Sequence, residues 1–134
     1  MIARFTVTFV VIAALPLLAG CGRSWGEVSG TVRYQGKPLP KGSITFYDEA
    51  NQSLTSAINA DGSYNVSKVA TGKVKVAVSL PMYIAMQGDT KGMARMAAER
   101  RTLPNLPVRY ADAEKSGLDR EVKSGSQTID FDLN

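Results

Sequence analysis

The chain has 134 residues, of which 44% are hydrophobic and 21% are charged, and its formal net charge is +4. These values fit one globular domain and exclude a disordered or collagen-like chain. A single cysteine and the absence of histidine exclude an internal disulfide, a multi-cysteine zinc site and the usual catalytic triads that need an imidazole. The basic residues form no clustered stripe, which argues against a nucleic-acid partner.

The N-terminus has the organisation of a secretion signal. Arg4 precedes a largely apolar run from Phe5 to Leu18. A helix of about fourteen residues is roughly 21 Å long, which is shorter than the roughly 30 Å hydrocarbon core of a bilayer. We therefore expect residues 1–20 to form the helix of a signal peptide rather than a permanent membrane span.

The signal ends in Leu18-Ala19-Gly20-Cys21, which resembles the lipobox of bacterial lipoproteins. The resemblance implies cleavage before Cys21 and acylation of its thiol, with chains such as palmitate. Two or three acyl chains hold a protein on a bilayer, whereas one is marginal. The alternative is an ordinary buried cysteine. We expect residues 21–26 to form a lipidated tether. By resemblance to lipoproteins of two-membrane bacteria, the absence of Asp after Cys21 implies delivery to the outer membrane of the bacterial cell envelope.

Seven later segments show the period-2 alternation of half-buried strands, and turn residues separate most of them. They are Val28–Tyr34, Gly42–Asp48, Leu54–Ile58, a segment that begins at Tyr64, Lys73–Leu80, Leu118–Val122 and Thr128–Leu133. Asp61-Gly62 predicts a β-hairpin turn. The pattern predicts an all-β fold over residues 27–134, a seven-stranded antiparallel β-sandwich with a Greek-key connection.

Two stretches resemble transthyretin-like domains of the carboxypeptidase regulatory type. They are Val28–Phe46, VSGTVRYQGKPLPKGSITF, and Asn59–Val78, NADGSYNVSKVATGKVKVAV. Leu106–Leu133 is similar to the tail of small bacterial lipoproteins of unknown function built on this fold. The resemblance implies a transthyretin-like sandwich. Related 5-hydroxyisourate hydrolases use histidines and a C-terminal Tyr-Arg-Gly-Ser, and this chain has neither. Gly30 suits a place where another backbone packs closely.

Polar residues in two places have the spacing of possible chemical sites. Asp130 and Asp132 share one side of the last predicted strand, and their alternation with apolar residues indicates the solvent face. Asn59, Asp61 and Ser63 resemble the oxygen spacing of a calcium loop, but no acidic ligand follows, which favours a plain turn. We expect no catalytic residue, no cofactor and no metal.

Residues 81–105 interrupt the strand pattern and are expected to form a short helical or irregular excursion. Four of the five methionines fall here: Met82, Met86, Met93 and Met96. From Lys91 to Arg101 the composition favours a helix, with Met93, Met96 and Ala97 on one stripe and Arg95 and Glu99 opposite. The methionines suit an adaptable binding surface or copper(I) ligands. Alternatively, they cover the open end of the sandwich or belong to a loose insertion.

These features together predict a non-enzymatic lipoprotein, anchored to the membrane through Cys21, that presents a β-sandwich as a binding or structural module. The expected partner is a protein or glycan of the cell envelope. The alternative function is a small-ligand domain that binds carbohydrate. Its aromatic candidates are Tyr34, Tyr47 and Tyr83, because Trp25 is expected to lie in the tether.

Overall fold

The computed structural model describes residues 22–81 and 90–134, and within them nine strands form two sheets. The strands are β1 (Trp25–Tyr34), β2 (Lys37–Pro38), β3 (Gly42–Tyr47), β4 (Ser53–Ile58), β5 (Ser63–Ala70), β6 (Gly72–Ser79), β7 (Asp119–Val122), β8 (Gly125–Thr128) and β9 (Phe131–Leu133). One helix, α1, spans Thr90–Thr102, and a 3₁₀ turn spans Val108–Ala111. No helix in these ranges is long and apolar enough to cross a membrane.

Sheet 1 is organised around β1. On one side of β1, β5 pairs antiparallel from Trp25 to Thr31, and the short β2 continues this side at Arg33 and Tyr34. On the other side β8 and then β9 pair with β1, both in parallel. Sheet 2 has the order β4-β3-β6-β7, with every pair antiparallel.

The all-β sandwich is confirmed, but the prediction of seven purely antiparallel strands is wrong. The predicted strand Thr128–Leu133 is divided into the end of β8 and all of β9. At the break, the Asp130 carboxylate accepts a hydrogen bond of 2.8 Å from the Thr31 N–H. A side chain thus takes the place of a backbone acceptor, which interrupts the strand.

The turn at Asp61-Gly62 is confirmed, but the predicted hairpin is not. The turn joins β4 to β5, which belong to different sheets. Gly62 has a φ of +82°, which only glycine adopts readily. The connection is therefore a corner between the two layers of the sandwich.

The core lies between the inner faces of the two sheets. Val74, Val76 and Val78 of β6 are buried as the alternation predicted, while Leu80 lies past the end of the strand and is half-buried. Three aromatic rings, Phe46, Tyr64 and Phe131, meet there with centroids 6.0–6.2 Å apart. Edge and tilted contacts of this kind add to the free energy gained from burial alone.

The sandwich has two ends, which we call poles. The proximal pole is the end where β1 begins, and it comprises residues 22–26, 47–54, 67–73 and 121–126. The distal pole, where β1 ends, comprises residues 33–42, 58–63, 79–81, 103–107 and 131–134. The ten residues of β1 separate the poles by about 30 Å at ~3.3 Å per residue.

Candidate functional site

The residues predicted for lipidation and cleavage, Leu18, Ala19, Gly20 and Cys21, lie outside the described residues. The described chain begins at Gly22, and the next residues run along the proximal pole. The Arg23 guanidinium lies 3.5 Å from the Asp48 carboxylate. The Ser24 and Thr71 hydroxyls are 2.6 Å apart, and the Thr71 N–H donates to the Ser24 carbonyl at 3.2 Å. The expected tether is therefore held against the sandwich, and Trp25 and Gly26 already belong to β1.

The candidate calcium loop uses its oxygens within the turn. Asp61 Oδ1 accepts hydrogen bonds from the Ser63 hydroxyl at 2.6 Å and the Ser63 N–H at 3.0 Å, and these bonds lower the pKa of Asp61. The Asn59 amide donates to the Ser63 hydroxyl at 3.0 Å. Across residues 22–81 and 90–134, no group of three or more acidic or cysteine side chains is arranged to hold a metal ion. Asn59, Asp61 and Ser63 thus form a turn that is closed by hydrogen bonds among these three residues.

An open cleft of about 960 Å³ lies on the outer face of sheet 2. The outward side chains of β3, β6 and β7 form one wall, and residues 111–114 form the other. Tyr47, Lys75 and Asp119 are neighbours across the three strands, because Tyr47 pairs with Lys75 and Lys75 with Asp119. The volume is that of a small-molecule site, for which roughly 300–1,000 Å³ is usual.

Most side chains that line this cleft are charged, and their net charge is negative. Six carboxylates and three cations contribute: Asp48, Glu49, Asp112, Glu114, Asp119 and Glu121, with Lys73, Lys75 and Arg120. The Lys75 ammonium lies 2.5 Å from the Glu114 carboxylate, a contact that raises the pKa of Lys75. The Glu114 N–H donates to Asp112 Oδ1 at 2.9 Å, and this bond is the main cause of a lowered pKa of Asp112. The cleft offers donors and acceptors beside one aromatic ring.

The aromatic candidates for sugar stacking do not form one platform. Tyr47 lies in the cleft, towards the proximal pole. Tyr34 lies at the distal pole, where its hydroxyl donates to the Asn105 carbonyl at 3.1 Å. Tyr83 lies outside the described residues. Any stacking contact in the cleft therefore depends on Tyr47.

Helix α1 is attached to the distal pole through its C-terminal half. The Lys41 ammonium lies 3.4 Å from the Glu99 carboxylate, and none of the helix residues is buried. The predicted helix is confirmed, but the predicted stripes are wrong. The half-buried positions are Gly92, Met96 and Glu99, whereas Met93 is 41% exposed and Ala97 is exposed. Glu99 is partly covered, and its carboxylate pairs with Lys41 and, at 3.9 Å, with Arg95 of the same helix.

The cleft was not found from the sequence. Its two walls come from distant segments, and Lys75 and Glu114 are 39 residues apart. The sequence indicates only that Lys73 and Lys75, which alternate with valines that are buried, lie on the outer face of their strand. That alternation identifies an exposed face but not what covers it.

No protein-family model matches the chain, and the search of curated proteins found no match either. A DUF3823 family protein from Parabacteroides merdae is 11% identical, with a TM-score of 0.49, over 84% of this chain and 47% of that structure. Another, from Bacteroides ovatus, is 15% identical, with a TM-score of 0.45, over 81% and 44%. A proposed carbohydrate binding protein from Bacteroides uniformis is 16% identical, with a TM-score of 0.43, over 84% and 42%.

The chain spans less than half the length of these three structures. A likeness of this degree establishes neither a family nor a function. The transthyretin-like assignment therefore stays a prediction that depends on the motifs in Val28–Phe46 and Asn59–Val78.

Proposed function

We propose that this chain is a membrane-anchored lipoprotein of the bacterial cell envelope that presents the distal pole of its sandwich to a protein partner. Cys21 carries the lipid, and residues 1–20 are the signal that is removed. The observation that carries the proposal is that the residues after Cys21 and helix α1 lie at opposite poles of the sandwich. β1 begins four residues after Cys21 at the proximal pole, and α1 is attached at the opposite pole, about 30 Å away.

Helix α1 is the candidate contact element. A helix of 13 residues with no buried side chain gains little from packing, and helices of this length are marginal on their own. Contact with a partner supplies the missing burial. Four cations, Lys91, Arg95, Arg100 and Arg101, outnumber the one acidic side chain, Glu99. A partner with an acidic surface therefore fits best.

Lipidation is tested by replacing the acceptor thiol. The full chain and its Cys21→Ser variant are expressed in a bacterial host, the membranes are separated, and the mass of the N-terminal peptide is measured. We expect the original chain in the membrane fraction with an acylated Cys21 at its N-terminus. The variant keeps its signal segment and lacks the acyl mass. An unmodified Cys21 in the original chain contradicts the proposal.

Presentation is tested by crosslinking in intact cells. A photoreactive residue is placed at Met93 of α1 or, as a matched control, at the exposed proximal residue Lys123. We expect a defined crosslinked product from Met93 only. Lys91→Glu with Arg101→Glu should abolish it, whereas Lys73→Glu with Lys123→Glu changes the same amount of charge and should preserve it. Equal products from Met93 and Lys123 argue against a distal contact.

A second candidate function is binding of a small carbohydrate in the cleft. The observation in its favour is the single aromatic ring of Tyr47 beside charged groups that can bond to hydroxyls. Titration with soluble glycans should shift the amide signals of Tyr47 and Lys75. Tyr47→Ala should abolish these shifts, and Tyr34→Ala at the other pole should keep them. A panel of glycans that leaves the cleft amides unchanged contradicts this function.

A further inference from the structure

Two large apolar side chains are exposed together at the proximal pole. Trp25 is 48% exposed and Leu54 is 39% exposed. They border a hollow of about 270 Å³, with the buried side chains of Phe46, Val69 and Ala70 beneath. We call this surface the proximal patch. Only four large hydrophobic side chains are exposed within residues 22–81 and 90–134, and two of them are here.

Charged groups surround the proximal patch. The Arg23 guanidinium lies 5.8 Å from the centre of the Trp25 ring and 3.5 Å from the Asp48 carboxylate. Lys68 and Asp48 line the hollow itself. Tryptophan with nearby cations is the combination found at the membrane–water interface, where the ring lies among headgroups and the cations approach lipid phosphates.

The distance to the lipid anchor decides what can cover this patch. Arg23 and Ser24, both held to the sandwich, are two and three residues from Cys21. A fully extended chain spans at most ~3.6 Å per residue, so these residues lie within about 7 and 11 Å of Cys21, and Trp25 within about 14 Å. Headgroups extend roughly 5–7 Å beyond the hydrocarbon core on each side. An acylated Cys21 therefore holds the proximal pole at the headgroups.

We propose that the proximal patch docks directly on the bilayer surface, with Trp25 and Leu54 among the lipid headgroups. The lipid surface covers this patch, because only Gly22 lies between the acylated Cys21 and Arg23, whose side chain is fixed to the sandwich. This inference rests on the lipidation of Cys21 in the proposed function. It adds that the domain stands on the membrane in one orientation, with the distal pole facing away.

The test uses intrinsic fluorescence, since Trp25 is the single tryptophan of the chain. The mature lipidated protein is reconstituted in vesicles of phosphatidylethanolamine and phosphatidylglycerol that include phospholipids brominated at the upper end of the acyl chains. We expect a blue shift, quenching by bromine, and protection from acrylamide, compared with the lipid-free chain that begins at Gly22, in solution. The matched control, Trp25→Phe with Lys37→Trp, moves the fluorophore to the exposed distal strand β2 and should not be quenched.

The outcomes separate this inference from the proposed function. Failure of the protein to float with vesicles contradicts lipidation, and with it the docking. Flotation with Trp25 unquenched and open to acrylamide overturns the docking alone. Equal quenching at positions 25 and 37 also overturns it, because the domain then has no fixed orientation. Leu54→Asp should reduce the quenching of Trp25 without loss of flotation, and unchanged quenching would remove Leu54 from the contact.

Discussion

The phenol of Tyr64 donates a hydrogen bond of 2.5 Å to the backbone carbonyl of Ile129, reaching across Gly30 of β1. Tyr64 is the partner of Gly30 in the β1–β5 pairing, and Ile129 lies at the break between β8 and β9. A Cβ added to Gly30 would collide with the Ile129 carbonyl. Glycine is required here because the acceptor of the Tyr64 hydrogen bond occupies the space of a side chain, which confirms the close packing predicted for Gly30.

Gly30→Ala should destabilise the domain by about 1–3 kcal/mol, the usual range for forcing an extra methyl group into a packed site. The Ile129 carbonyl must move, and its hydrogen bond with Tyr64 weakens. Urea denaturation of the domain measures the loss. Ser29→Ala, at the neighbouring position, adds no atom and should stay within about 0.5 kcal/mol of the original. Equal losses in the two variants would show that the contact with Ile129 is not the cause.

Tyr64 should also make stability depend on alkaline pH. Burial, assisted by the negative charge of Asp130, raises the pKa of Tyr64 above its ordinary value of about 10. Above that pH the unfolded chain loses the phenol proton while the folded domain keeps it, so the free energy of unfolding falls as pH rises. One such group contributes a slope of up to about 1.4 kcal/mol per pH unit.

The Tyr64→Phe variant isolates this contribution. At neutral pH it should lose about 1–3 kcal/mol, because the partly buried Ile129 carbonyl is left without its donor. Between neutral pH and values above 10 its free energy of unfolding should fall less steeply than that of the original domain. Urea denaturation at a series of pH values gives both quantities. Parallel pH profiles would mean that Tyr64 ionises equally in the folded and unfolded states.

The sequence predicted those parts of the fold that depend on a local period. The valines of β6 alternate over eight residues, and this pattern alone indicates which face is buried. The break in the last strand was not predictable, because Thr128–Leu133 alternates throughout. It depends on the hydrogen bond from Thr31 to Asp130, 99 residues away in the chain. The parallel pairing of β8 and β9 with β1 was not predictable either. The period of a strand does not specify the direction of its partner.

The candidate surfaces were likewise predictable only where they depend on local sequence. The helix in the excursion was predicted from composition, but its contact with the sandwich through Glu99 depends on Lys41, 58 residues earlier. Trp25 was expected in the tether, because its strand is recognised only through its pairing with Ala70. Contacts between distant segments therefore define the cleft, the distal attachment of α1 and the proximal patch.

Removing the ion pair in the cleft should change the titration of Lys75. The hydrogen bond with Glu114 is the main cause of the raised pKa of Lys75, and the charge of Asp119 adds less. Glu114→Gln should therefore lower the pKa of Lys75 toward its ordinary value. Titration of its side-chain signals by NMR measures the change. Asp119→Asn, on the adjacent strand, should lower the pKa by a smaller amount, and the reverse order would exclude Glu114 as the dominant partner.

Melting α1 should leave the sandwich folded. Proline is about 3 kcal/mol less favourable than alanine in a helix interior, so Ala97→Pro should unfold the helix. Because no helix residue is buried, the unfolding free energy of the domain should change little. Hydrogen exchange should show lost protection in Thr90–Thr102 only.

In the matched control, Ala77→Pro places proline in β6 opposite Thr45, at a residue only 5% exposed, and should prevent stable folding. If Ala97→Pro were as damaging as Ala77→Pro, α1 would belong to the cooperative core and would not be a surface available to a partner.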